Sequence, residues 1–378
     1  MRLPKRVAFH DATLRDGEQT PGVVFTPADK VEIAKALDAV GVDRIEAGMP
    51  AVSKDDFNAV KEIAGLGLNA EITVFSRAMA KDIDDAVACG VDGVILEVPS
   101  GEPRLKYQFN WSEQEVIDKS LNAVKYAKDC GLKVVFFPYD TSRSKFSFLR
   151  DLIGKVVSEG KPDSVAVIDT TGCCLPTGMF QLVTKVREIV GGLPVEVHTH
   201  NDFGLAVANT LAALEAGAEV LHGCLTGLGE RTGNAPLEEI AVAVSLLYGV
   251  NHNLKHEMFY QTAQLIREKA KIPIPPSKPL LGAHCFAREI GIGIDMLHKA
   301  PQAVFAVEPE YVGTKSIALL GKKSGKGSIS MKMKELGLQK ALDEDAQKKL
   351  LEEIKGLSIK KKGLVTNEEF EKMVNALP

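Results

Sequence analysis

Over its first 250 residues the chain alternates two patterns. Short runs rich in Val and Ile, too brief for helices, are followed by longer stretches in which apolar positions recur every three or four residues, the spacing of a helix with one apolar face. Strands are predicted at Val7 to Leu14, Arg44 to Gly48, Glu71 to Phe75, Gly93 to Val98, Lys133 to Phe137, Ser164 to Asp169, Val195 to His200 and Val220 to Leu225. A helix follows each. Thr26-Pro27 marks the start of one, with a hydroxyl placed to cap and a proline that fixes the first turn. Alternation of this kind builds parallel sheets from βαβ units. Eight repeats in about 245 residues predict an α/β fold, a (β/α)₈ TIM barrel. A doubly wound open sheet would want Gly-x-Gly-x-x-Gly after the first strand, and that turn is absent.

The pattern changes after residue 250. A helix from about His256 to Lys271 leads into Ile272-Pro-Ile-Pro-Pro-Ser-Lys-Pro279, where the prolines exclude a helix. Beyond it lie a glycine-punctuated stretch, a charged helix near Glu344 to Lys355 and a last helix opened by the capping box Thr366-x-x-Glu369. The expected organisation is a barrel domain over 1–250, a helix and Pro-rich linker over 251–281, and a smaller, mostly helical C-terminal region over 282–378.

Composition narrows the function classes. Apolar residues make up 45% of the chain and charged residues 25%, the balance of a soluble globular protein. No apolar run approaches the roughly 20 residues of a membrane span, and the N-terminus has no long apolar leader, so a cytoplasmic protein without a membrane partner is expected. A formal net charge of −4 and the lack of a basic stripe argue against nucleic acid. The six cysteines are scattered apart from Cys173 and Cys174, with no Cys-x-x-Cys, which argues for reduced thiols.

Candidate chemistry gathers at strand ends, which in a barrel form the C-terminal mouth where active sites lie. His198 and His200, two apart on a strand, point the same way. Taken alone, two such histidines are more often a hydrogen-bonded polar pair than a metal site. The first strand brings His10-Asp-Ala-Thr-Leu-Arg-Asp-Gly-Glu-Gln19 to the same mouth, and Asp16 is the natural third ligand. Two imidazoles and a carboxylate suit a divalent metal, Mg²⁺, Mn²⁺, Zn²⁺, Co²⁺ or Fe²⁺, with positions left for water or substrate. The glycine-rich Gly227 to Ala235 segment would bring the Asn234 amide oxygen near the ion.

Several motifs together carry a resemblance. Thr13-Leu-Arg-Asp-Gly-Glu-Gln-Thr-Pro-Gly22, Ile45-Glu-Ala-Gly48, Asp169-Thr-x-Gly172, His198-x-His-Asn-Asp-x-Gly204 and Gly229-Glu-Arg-x-Gly-Asn-Ala235 span the barrel. In these the chain resembles the DRE-TIM metallolyases, which include 2-isopropylmalate, homocitrate and citramalate synthases and 3-hydroxy-3-methylglutaryl-CoA lyase. Leu320-Gly-Lys-x-Ser-Gly325 is similar to the smaller subdomains of the synthases. The resemblance implies Asp16, His198 and His200 as metal ligands with Asn234 close by, and Arg15 as the catalytic group facing the alkoxide formed from a 2-oxo acid. It implies Thr170 at the substrate carboxylate, with Glu46 and Arg77 as further substrate contacts. Glu18 and Gln19 would support that shell, and Asp202 would orient a ligand histidine. A 2-oxo acid and an acyl-CoA are the expected substrates, and a homodimer the expected assembly.

The departures fall on proton handling. Where the synthases end the fifth strand in Glu-Asp, this chain has Phe137-Pro-Tyr-Asp140, with Tyr139 in the glutamate's place. Where they carry a histidine after the linker, Arg288-Glu-Ile-Gly-Ile-Gly293 ends in glycine, and Lys323 replaces a second histidine. Tyr139, Asp140, Glu230 and His284 are the candidate substitutes. Pro138-Tyr-Asp140 is also similar to a Pro-Tyr-Glu segment of the lyase, whose loop cysteine has no counterpart in Gly227 to Ala235. The leading reading is a metal-dependent synthase joining an acyl-CoA to a 2-oxo acid. A lyase or aldolase acting on a related hydroxy acid is the alternative, and a non-catalytic binder of metal and 2-oxo acid is a third. Weak or absent turnover of acetyl-CoA with 2-oxoisovalerate, 2-oxoglutarate or pyruvate is expected.

Overall fold

The computed structural model describes residues 2–377. Eight parallel strands close into a barrel in sequence order: β1 (Ala8–Asp11), β2 (Arg44–Glu46), β3 (Glu71–Arg77), β4 (Gly93–Pro99), β5 (Lys133–Tyr139), β6 (Ser164–Asp169), β7 (Val195–Thr199) and β8 (Val220–Gly223). β8 returns to β1 with Ala8 opposite Val220 and His10 opposite His222, so no strand edge is left open. Helices α1 (Pro27–Val40), α2 (Lys54–Ala64), α3 (Ala80–Cys89), α4 (Glu113–Asp129), α5 (Phe146–Lys155), α6 (Pro176–Val190), α7 (Ala206–Glu215) and α8 (Leu237–Leu246) follow the strands in turn. Thr26 caps α1 through a reciprocal bond pair with Asp29, with Pro27 in its first turn.

A strand buried on both faces reads as a continuous apolar run. β4 shows it: Val94 and Leu96 face the helices, while Ile95 joins Val135, Phe137, Ala166 and Ile168 inside the barrel. The opposite interior wall is polar. Arg44 Nη1 holds both oxygens of the fully buried Glu196, at 3.0 and 2.9 Å. Ser164 Oγ and His222 Nε2 meet the same carboxylate at 2.5 and 2.6 Å, and His222 stacks on His10 at 4.0 Å. This layer was not foreseen from the sequence. It leaves a carboxylate whose oxygens are already taken, a hydrogen-bonded ion network inside the barrel.

Four strands, β1, β2, β7 and β8, are shorter than predicted, and at β1 the strand ends where a side chain captures the backbone. The Asp11 carboxylate accepts from Thr13 N and Oγ1, at 2.8 and 3.0 Å, and from Leu225 N at 3.2 Å. That turn stops β1 at Asp11 and swings Arg15 and Asp16 over the mouth. At β7, pairing ends at Thr199, after which His200 forms an isolated bridge with Asn234. Between β4 and α4 lies a π-helical segment, Arg104–Phe109, that the sequence did not suggest.

The chain divides into two compact units, 1–273 and 274–378. Helix α9 (Phe259–Ala270), which the sequence places in the linker, belongs to the first unit, where Lys269 bridges to Asp29 and Glu32 of α1 at 3.1 and 2.7 Å. The second unit holds the short α10 (Met296–Lys299) and three longer helices, α11 (Lys326–Glu335), α12 (Glu344–Lys361) and α13 (Asn367–Ala376). The three longer helices enclose a core of Leu320, Ile329, Leu350, Ile354, Phe370 and Val374, and the Thr366–Glu369 capping box opens α13. Among the described residues, no helix is long and apolar enough to cross a membrane.

Candidate active site

Three buried side chains converge at the C-terminal mouth. His198 Nε2 lies 3.5 Å and His200 Nε2 3.7 Å from Asp16 Oδ2, and the two ring nitrogens are 3.3 Å apart. Burial alone would keep Asp16 protonated, but Arg15 and the two histidines hold its carboxyl well below the usual range. Burial lowers both histidines, His200 to about 4, against the pull of Asp16, so the rings are neutral. An anionic carboxylate and neutral imidazoles are the protonation states a metal ligand needs. Asn234 donates Nδ2 to Asp16 Oδ1 at 2.8 Å and to Leu228 O at 3.0 Å, which leaves its buried Oδ1 with no partner. An orphaned acceptor beside three convergent donors fits a divalent cation.

Arg15 is fixed on two sides and open on the third. Its Nε donates to Glu46 Oε1 at 2.8 Å, its Nη1 to Asp16 Oδ2 at 2.9 Å, and its plane lies over Phe75 at 4.7 Å. Nη2 is buried without a partner. A free guanidinium donor thus stands beside the ligand set, on a cavity of about 820 Å³ lined by both histidines, Asp16 and a wall of aromatic side chains.

The other expected site residues divide. Thr170, Arg77, Tyr139, Glu230 and Gln19 line the cavity. Arg77 is already paired with Asp82 at 2.8 and 2.9 Å, and Glu230, 53% exposed, with Arg231 at 3.3 Å. Tyr139 is a poor base, because burial and the nearby Glu97 push its phenol above its ordinary range. Four other expected residues, Glu46, Asp140, Asp202 and Glu18, are bonded to partners of their own. Glu46 is not among the residues lining the cavity; its carboxylate accepts from Arg15 Nε and lies 3.3 Å from His10 Nε2. Asp140, with a left-handed backbone (φ 64), turns its carboxylate away into a two-point bond with Arg143 at 2.7 Å each. Asp202 binds Arg231 at 2.8 and 3.0 Å and orients no histidine, and Glu18 binds Phe25 N and Lys30. His284 is exposed in the second unit.

The cavity also holds side chains the sequence reading passed over, chiefly Glu97 on β4 and Phe109 and Trp111 beyond it. The signal for Glu97 was present as the one charge in Gly93-Val-Ile-Leu-Glu-Val-Pro99.

Comparison with known proteins agrees with this arrangement. Residues 6–266, which carry every side chain of the site, match the HMGL-like family model. The chain belongs to that family. Past the barrel, residues 280–362 of this HMGL-like protein match the homocitrate synthase post-HMGL domain-like model. It is 40% identical to homocitrate synthase AksA of Methanopyrus kandleri over 99% of this chain and 93% of the relative. It is also 40% identical to a 2-isopropylmalate synthase of Methanocaldococcus jannaschii, over 99% of this chain and 72% of the relative. The hydroxymethylglutaryl-CoA lyase of Pseudomonas aeruginosa superposes with a TM-score of 0.65 at 20% identity, covering 72% of this chain and 96% of the other, and shares the barrel fold. The HMGL-like chain is an enzyme of the acyltransferase type, a carbon–carbon condensing synthase. Equal identity to synthases named for different products leaves its acceptor open.

Proposed function

We propose that the protein joins the α-carbon of an acyl-CoA to the keto carbon of a 2-oxo acid, after which water cleaves the thioester and the thiol departs. The observation that carries this reading is the unpartnered Arg15 Nη2 beside the Asp16–His198–His200 set. A divalent ion held by those three residues, with Asn234 Oδ1 beside them, supplies Lewis-acid polarisation of the keto group when bound.

The chain's own residues supply the rest. Arg15 Nη2 donates to the keto oxygen as it gains charge, and Glu46 fixes the plane of the guanidinium so that no reorganisation is needed as that charge forms. Thr170 Oγ1 accepts from Asp140 N at 2.8 Å, which leaves its hydroxyl hydrogen free to donate to a substrate carboxylate. Phe75, Phe109, Phe137 and Trp111 exclude water and pack on the substrates' apolar parts. The cavity's volume of about 820 Å³ is within the usual range for small-molecule sites.

Thiol release tests the reading. The full chain with Mn²⁺ is incubated with acetyl-CoA or propionyl-CoA and each of pyruvate, 2-oxoisovalerate and 2-oxoglutarate, with EDTA as control. Release that needs both substrates and stops with EDTA is expected for one pair. Its absence with every pair, together with 2-oxo acid release from the corresponding hydroxy acids, would replace the synthase by a lyase.

A further inference from the structure

We propose that Glu97 is the catalytic base that removes the α-proton of the acyl donor, the role for which Tyr139 and Gly293 offer no suitable group; the proposal rests on the condensation read above. The argument begins with register. On β4, Ile95 belongs to the interior cluster with Val135, Phe137 and Tyr139. Side chains two apart share a face, so Glu97 also points inward, paired across the sheet with Phe137 of β5 and Arg77 of β3. It lines the same cavity as Arg15, Asp16, Arg104 and Tyr139.

The second step is what binds the carboxylates around the mouth. Asp16 and Glu46 hold Arg15, and Asp82 holds Arg77. Asp140 holds Arg143, and both Asp202 and Glu230 hold Arg231. Asp169 takes Ser142 Oγ at 2.7 Å and the backbone N–H of Cys173 and Cys174. Glu97 alone in this set makes no hydrogen bond or ion pair with any described residue. A carboxylate on a cavity wall left with neither a hydrogen-bond nor an ion partner costs stability that a neutral side chain would avoid, which marks it as functional. Elimination agrees. The remaining titratable groups on the cavity are metal-ligand candidates, cations, the phenol of Tyr139 and the exposed Glu230.

The charge environment suits a base. Burial lifts the Glu97 carboxyl to about 7, with Arg15 and Arg104 opposing and Glu46 and Asp16 adding to the rise. A group poised there is half ionised at neutral pH and basic enough to accept a proton. In the step itself the α-carbon–hydrogen bond breaks and the proton passes to a Glu97 oxygen. The freed electron pair forms the bond to the keto carbon, and the carbonyl π pair moves to the oxygen that faces Arg15.

The test uses the full chain with Mn²⁺, as wild type, Glu97→Gln and Glu97→Asp. Three quantities are read: thiol release with the substrate panel above, exchange of the α-hydrogens of acetyl-CoA in D2O, and titration of Mn²⁺ and 2-oxo acid. The expected result is a loss of about 100-fold or more in release and exchange for Glu97→Gln, with Mn²⁺ and 2-oxo acid affinities within about threefold and partial recovery in Glu97→Asp. Retained Mn²⁺ binding shows that the variant is folded, and should it not fold, Glu97→Asp at wild-type rate overturns the base. Thiol release that survives Glu97→Gln keeps the synthase and overturns the base. Wild type that exchanges in a Glu97-dependent way without releasing thiol keeps the base and overturns the synthase, and wild type that does neither overturns both. Loss of 2-oxo acid binding in step with turnover would make Glu97 a positioning residue and overturn the proposal.

Discussion

Replacing Arg15 by lysine keeps one positive charge and removes a three-way division of labour. The guanidinium, 8% exposed, gives Nε to Glu46 and Nη1 to Asp16, and its Nη2 is left without a partner. An ammonium in the same space cannot hold Glu46 and Asp16 in this geometry and still present a donor to the keto oxygen. Two costs follow, of different kinds. A hydrogen bond to a charged group contributes about 1.5–3 kcal/mol, so Glu46 or Asp16, losing its bond, should cost about 2 kcal/mol in stability and a few degrees in melting temperature. His10, 3.3 Å from Glu46, partly offsets this. The donor aimed at developing negative charge is worth about 2.7–4 kcal/mol, or 10²–10³ in turnover. The expected result for Arg15→Lys is therefore kcat lowered about 100- to 1,000-fold, with KM for the 2-oxo acid changed less than about tenfold. Steady-state thiol release over a range of 2-oxo acid concentrations, beside a thermal melt, reads both costs. A kcat within about threefold of wild type would assign Arg15 to packing, and a raised KM with unaltered kcat would assign it to ground-state binding.

Three further outcomes are expected. His198→Ala should weaken Mn²⁺ binding about 100-fold or more by calorimetric titration and abolish thiol release, since it removes one of three convergent ligands; unaltered affinity would place the ion elsewhere. Because the Glu97 carboxyl must be ionised to accept a proton, kcat should rise with pH up to about 7, with a lower midpoint when a dication is bound nearby; a flat profile from about pH 5.5 to 8 would count against that base. Arg44→Met should destabilise the fold by about 3–5 kcal/mol in urea at neutral pH, because it strands the buried Glu196. The sign with pH follows: burial opposes ionising Glu196, but Arg44 and then His222 prevail and hold its carboxyl well below the ordinary range. The pair's stabilisation is thus complete above about pH 4.5 and lost as pH falls toward the folded value. A variant within about 1 kcal/mol of wild type would show the layer to be dispensable.

The convergence of Asp16, His198 and His200 was legible in the sequence because its signal is local. His198 and His200 need only the two-residue period of a strand to face together, and Asp16 needs only to follow the first strand. The barrel was legible for the same reason, since strand and helix periods repeat without knowledge of pairing. Residue type and strand-end position, however, say which side chains reach the mouth and nothing of what has already neutralised them. Asp140 looked available until its left-handed backbone turned it onto Arg143, and Glu46 until Arg15 and His10 occupied both its oxygens. The layer of Arg44, Glu196 and His222 joins residues more than 150 positions apart, and no periodicity announces it.

Glu97 was missed for a related reason, and its register bears on the departure at Tyr139. Within Val-Ile-Leu-Glu-Val-Pro a lone acid is compatible with either face of the strand, and only pairing decides between them. With Glu97 opposite Phe137 and Pro99 opposite Tyr139, the inward carboxylate of β4 stands one strand over from the position where the resemblance places a glutamate on β5, and one pleat deeper. Neighbouring strands are about 4.8 Å apart, and Glu97 and Tyr139 line the same cavity. A carboxylate on β4 can therefore address a substrate carbon from nearly the same side as one on β5. The absence of the expected glutamate then leaves proton removal with a source in the same cavity, and Tyr139, still protonated, forms part of its wall. It follows that restoring the β5 carboxylate by Tyr139→Glu should not add a second base. Two acids this close raise each other's pKa, so the variant should titrate as a coupled pair and shift the rising limb of the pH–rate profile to higher pH. A limb left at the wild-type midpoint would mean that the two positions do not share a site.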